Sequence, residues 1–124
     1  MNLILSRPTV LLSSTAAKLD DGGRLVWPAT VNGRRVLLHR WQTAPLHVAE
    51  LIAAVNLRNS LGVADGDPVE VCIDGRHIGS MDARQRVGWA SLWRGREDWY
   101  YRHDRYERRA RPWSYRFRVL QHGS

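Results

Sequence analysis

"VNLRNSLGVADGDPVEV", residues 55–71, decides how the rest of the chain is read. Asn56 stands at a helix N-cap position ahead of Leu57–Leu61. Its side-chain oxygen can accept one of the N–H groups that a first turn leaves without an intrahelical partner. Gly62 follows as the residue able to take the left-handed conformation that ends a helix, and Val63 is placed to fold back on the last turn. Asp65-Gly66 marks a turn, and Asp67-Pro68 releases the chain into "VEVCI". There Val69, Val71 and Ile73 share one face, and Glu70, Cys72 and Asp74 the other, as in a strand buried on one side.

Upstream, "RLVWPATV" and "RRVLLHRW" flank Asn32-Gly33, a pair suited to a two-residue type I′ turn, and predict a hairpin. Pro28 has no N–H to give a ladder, so it predicts a sheet edge or a bulge. "AELIAAV" is an apolar run of strand length that periodicity alone does not separate from helix. "TVLLSS" predicts a first strand, and "DG" at 74–75 a further hairpin into "RHIGSM". Residues 1–83 are thus expected to form a mainly β body, a small barrel with one short helix. Residues 84–124 form an Arg- and Trp-rich extension, packed on that body or appended to it. Within it a helix is expected over 97–111, then a strand at "SYRFRVL" with Tyr115, Phe117 and Val119 on one face.

The 124 residues make one domain's worth of chain, and 44% apolar content allows a core without metal or disulfide. Cys72 is the only cysteine, so no intrachain disulfide forms, and no neighbouring histidine marks it as reactive. "MNLILSRPTVLLSS" lacks a basic leader and is broken by Arg7 and Pro8, and no apolar run is long enough to span a bilayer. The expectation is a cytoplasmic chain without a signal peptide. Residues 1–83 carry eight basic and eight acidic side chains, whereas 84–124 carry eleven arginines against four carboxylates and so the whole net charge of +7. Guanidinium groups interleaved with aromatic rings suit polyanions such as nucleic acid. The expected polyanion-binding face comprises Arg94, Arg96, Arg105, Arg108, Arg109 and Arg111. Trp89, Trp93, Trp99 and Trp113 serve equally well to pack the extension onto the body while the arginine heads stay in water.

Residues 50–71 resemble the C-terminal half of the archaeal CTP-dependent riboflavin kinases, which carry an apolar "E-x-I-A-P" strand, a short "LRE" helix and a "DGD" turn. The hairpin ahead of them fits the same family, so the resemblance covers residues 24–75. It implies a six-stranded cradle-loop β-barrel and transfer of the CTP γ-phosphoryl group to riboflavin, with a nucleotide and a flavin as small-molecule ligands. By the resemblance, Glu50 matches the glutamate that contacts the flavin, and Thr43, across a one-residue gap, a threonine of the flavin loop. Asn56, Leu57, Arg58 and Asn59 match the nucleotide-contacting segment, where a helix start favours an anion. Mg2+ with CTP is the implied cofactor. The family's glycine-rich "GxGxGR" loop and its "G-T-L-N" metal motif have no counterpart here, and Ala54 stands where the family has proline.

Plainer roles exist for each of these residues. Capping alone accounts for Asn56, and a solvated edge-strand carboxylate for Glu50. His39 and His47 bracket Trp41 and Thr43, in a pocket or, the expectation here, at the surface. His103, Asp104 and Glu107 are too few for a metal site, and none is expected. "LRNSLGVADGDPVEV" also resembles the swapped-hairpin transition-state regulators, DNA-binding dimers whose nucleic-acid surface the extension would supply. A third alternative is a non-catalytic module that recruits a partner through the extension.

Overall fold

A computed structural model of the protein describes residues 1–64, 66–102 and 115–122. Its strands are β1 (Asn2–Leu5), β2 (Val10–Leu11), β3 (Ala17–Lys18), β4 (Arg24–Val31), β5 (Arg34–Trp41), β6 (Val48–Ile52), β7 (Val69–Asp74), β8 (Ile78–Gly79) and β9 (Tyr115–His122). Its helices are α1 (Leu57–Leu61), α2 (Ala83–Gly88) and α3 (Trp99–Arg102), with a π-helical turn at Trp89–Trp93. The Asn32-Gly33 turn has both residues at positive φ, 48° and 81°. It sets β4 against β5 over their full lengths, with Arg24 opposite Trp41 and Val31 opposite Arg34.

The large sheet runs β3-β4-β5-β6-β1-β9-β7, and β7 also pairs with β4 at Thr30–Cys72 and Val31–Val71. The sheet is therefore curled, mostly antiparallel, and shaped as a half-barrel. The two ladders that β9 makes, with β1 and with β7, are parallel. Pro28 has a simple explanation. On the side of β4 away from β5, β3 pairs at Val26 and Leu25 and β7 pairs at Thr30 and Val31, so Pro28 falls in the gap between them.

One core fills the concave face, and the alternation of each strand supplies it: Leu3 and Leu5, Leu25, Trp27 and Val31, Val36 and Leu38, Ala49 and Leu51, Val69, Val71 and Ile73. Leu57 of α1 closes it, with Leu61 and Val63 against its margin. The Trp27 indole also donates to the Leu12 carbonyl at 3.0 Å, fixing the segment after β2. A second, smaller cluster lies on the other face of β1 and β6, where Ile4 and Val48 meet Tyr101, flanked by Ala44 and Tyr100.

Several expectations need correction. The first strand is β1, not "TVLLSS", of which only Val10–Leu11 pairs as a strand before a 3-10 turn at Ser13–Thr15. Its four residues "NLIL" carry no polar alternation to betray a strand. The "DG" turn does not make a hairpin. Gly75–His77 is a 3-10 turn leading to β8, which pairs with β2 instead of β7. The helix content also exceeds the two expected: the Asp82–Gln85 capping box starts α2 by satisfying two backbone N–H groups reciprocally. Of the helix expected over 97–111, α3 falls among the described residues, while 103–111 lies outside them.

Candidate functional site

Strand register brings the site together. Glu50 on β6 sits opposite Asn2 of β1 and opposite His39 of β5, so the three form a row across the sheet on the face away from the main core. Trp41 continues the same face of β5, 43% exposed, with its ring 5.9 Å from that of His39 in an edge-on contact and with the Arg24 guanidinium 5.0 Å away. Tyr100 and Tyr101 approach from α3, and together these residues line a pocket of about 190 Å³.

Within it, His39 Nδ1 lies 3.3 Å from Glu50 Oε1. The Glu50 carboxylate thus lies beside this nitrogen of the imidazole. The other nitrogen, Nε2, is buried and has no hydrogen-bond partner among the described residues. Arg40 also lines the pocket and is itself buried. Its guanidinium donates to three main-chain carbonyls: Nε to Val48 at 2.9 Å, one terminal nitrogen to Thr9 at 2.7 Å and the other to Leu46 at 3.0 Å. Among the described residues no carboxylate pairs with it. Burial pulls it down to about 10, which leaves it charged at neutral pH. The Tyr101 hydroxyl donates to the carbonyls of Leu3 and Ala49 at 3.1 and 3.2 Å, and burial raises its pKa.

Glu50 also borders a second, broader depression of about 430 Å³, lined by Leu51 to Ala53, Val55, Asn56, Leu57 and Arg58. Here α1 behaves as its sequence predicts. The Asn56 side chain accepts from the Asn59 N–H at 3.2 Å, and Gly62 at φ 67° ends the helix by donating its N–H to the Arg58 carbonyl. The sequence-predicted residues therefore divide. Glu50, Asn56 and Arg58 face a pocket, whereas the Leu57 side chain belongs to the core. Thr43 and Asn59 are exposed and line neither pocket, although Thr43 adjoins Ala44 in the wall of the first.

The two histidines expected at the surface are buried, His39 at 5% and His47 at 0% exposure. His47 joins the extension to the body. Its ring lies 5.1 Å from that of Trp89 and 5.0 Å from that of Trp93, and Nε2 donates to the Glu97 carbonyl at 2.8 Å. Desolvation lowers its pKa, outweighing the opposing pull of Glu97, and the nearby Arg40 lowers it further. Of the arginines expected to form a polyanion-binding face, Arg94 and Arg96 are exposed, while Arg105, Arg108, Arg109 and Arg111 lie outside the described residues, as do His103, Asp104, Glu107 and Trp113. Trp89 and Trp93 are half-buried and Trp99 is exposed, so the extension packs through the first two.

Among the described residues, no three His, Cys, Asp or Glu side chains converge on one point. Mg2+ asks for several hard oxygen ligands, and among the described residues Glu50 is the lone carboxylate lining either pocket, so this donor set does not fit the ion. Sequence reasoning missed Arg40, Tyr100 and Tyr101. Arg40 had a legible signal: it shares strand parity with Val36 and Leu38, an arginine at a core-facing position. The tyrosines had none, since a Trp- and Tyr-rich stretch does not say which ring turns inward. Comparison of the chain with protein-family models, with curated proteins and with solved structures finds no match in any of the three.

Proposed function

We propose that the chain is a riboflavin-kinase-like binding domain that takes a flavin ring in the pocket of Glu50, His39 and Trp41 and a nucleotide in the adjoining one. The observation that carries this reading is the position of Glu50 in the wall of both pockets. Trp41 and Tyr100 supply aromatic surface for a planar ring, and the Glu50 carboxylate supplies an acceptor for a ring N–H. Arg58 borders the second depression and offers a cation to a phosphate. The finer fold reading, a six-stranded cradle-loop barrel, is part of the same proposal. It is supported by a path of pairings through β4, β5, β6, β1, β9 and β7 that returns to β4.

Thermal shift with riboflavin, FMN, CTP and CDP tests the reading. A flavin and a nucleotide should each raise the melting temperature as ligand concentration passes the dissociation constant, by linkage. Glu50→Gln keeps the shape of the side chain and should weaken the flavin effect roughly tenfold, the worth of one charge-assisted hydrogen bond. No shift with any of the four ligands at millimolar concentration overturns the proposal. FMN formation from riboflavin and CTP, assayed beside it, reads the phosphoryl transfer implied by the resemblance. Binding of DNA or RNA that falls steeply with salt, without any flavin or nucleotide effect, would favour the swapped-hairpin alternative.

A further inference from the structure

Residues 83–96, "ARQRVGWASLWRGR", carry four arginines and no carboxylate. The fold gives this stretch two unlike sides. Trp89 and Trp93 turn toward the body and hold His47 between them. Arg84, Arg86, Arg94 and Arg96 are exposed, and so are Val87 and Leu92, at 65% and 61%. Trp99 follows at 41% exposure, with the Arg96 guanidinium 5.0 Å from its ring. Of the nearest acidic side chains, Asp82 caps α2 and Glu97 accepts from the Gly95 N–H at 3.0 Å, while Asp98 adjoins Trp99.

Val87 and Leu92 lie with the four arginines in a stretch free of carboxylates, and Trp99 follows beyond Glu97 and Asp98; together they make a surface that is both cationic and apolar. We propose that this surface docks on an anionic lipid bilayer, with the guanidinium groups on lipid phosphates and Val87, Leu92 and Trp99 in the interfacial layer. Charge complementarity requires an anionic partner, and the aliphatic residues choose among anionic partners. A nucleic-acid backbone would engage the arginines and a base could stack on Trp99, but neither gains from Val87 or Leu92. The contact is peripheral, because no helix among the described residues is long and apolar enough to cross a membrane.

Co-sedimentation of the full chain with phosphatidylcholine vesicles, with and without phosphatidylglycerol, tests this at low and high salt. Binding should be at least about tenfold stronger to the anionic vesicles and should weaken as salt screens the arginines. The Val87→Gln, Leu92→Gln double variant keeps every charge, and both side chains are exposed, so circular dichroism and the melting temperature should stay as in the parent. Its vesicle binding should drop by about tenfold, the loss expected from withdrawing two aliphatic side chains from the interface. Arg94→Gln with Arg96→Gln should instead flatten the salt dependence. Equal vesicle binding by the aliphatic double variant and the parent overturns the proposal. So does an absence of binding to anionic vesicles at low salt, and so does single-stranded DNA binding that the double variant retains while vesicles are ignored.

Discussion

His47 is the residue on which the seam between body and extension turns. Its ring is fully buried between two indoles, and its folded pKa lies below the ordinary value, chiefly through desolvation. The charged groups facing it are Arg40, which opposes protonation, and Glu97, which favours it less strongly than burial disfavours it. The unfolded chain therefore takes up a proton near pH 6.5, while the folded chain takes it only at lower pH. Stability is fully present above that pH and falls as the pH drops toward the folded value. The melting temperature should decline below about pH 6.5, and His47→Phe, which keeps a ring between Trp89 and Trp93, should flatten that decline. Arg40 is the other residue with a large stake. Arg40→Met removes the guanidinium donor from the carbonyls of Thr9 and Val48, and from that of Leu46, which keeps the Thr9 N–H, and should cost about 2–4 kcal/mol in denaturant unfolding. Arg40→Lys should recover only part of it, because an ammonium cannot reproduce the planar fork.

At the scale of elements, α1 is too short to stand on its own propensity and depends on its two ends and on Leu57. Asn56→Ala should lower stability by about 1 kcal/mol, and Asn56→Asp should retain the cap. Measuring CTP binding on the same variants separates the cap from a ligand contact: if affinity changes for Asn56→Ala beyond what stability explains, the residue does both. Elements like this one were legible in the sequence because their signals are local. The cap and the C-terminal glycine of α1, the Asn-Gly turn and the alternation of Val69, Val71 and Ile73 each sit within a few residues. The fate of Gly75–His77 was not legible, since its partner β2 lies some sixty residues upstream and the turn chemistry of "DG" suits a hairpin equally well. For the candidate site, Glu50, Asn56 and Arg58 were singled out through the resemblance. His39 was placed at the surface because its burial depends on neighbours from other strands and from α3, which no local pattern records.

For the whole molecule, the basic extension leads back into the sheet. β9 lies between β1 and β7, with Leu3 opposite Tyr115 and Val69 opposite Phe117. A chain ending at residue 114 loses the neighbour that both strands share. It should show no cooperative thermal transition by circular dichroism, although it keeps most of the apolar residues of the main core. A truncated chain that melts cooperatively at the temperature of the full one would show that the remaining ladders suffice.

The parallel ladders of β9 also bear on how the chain comes off the ribosome. Leu3 finds its partner at Tyr115, more than a hundred residues later, so one of the first strands made waits for the last. Loop closure over that span comes late, and a high contact order predicts refolding in milliseconds to seconds, slower than a helical domain of this size. Until synthesis reaches β9, one long side each of β1 and β7 stands open to pairing with another nascent chain, and expression at low temperature or with a chaperone should raise the soluble yield.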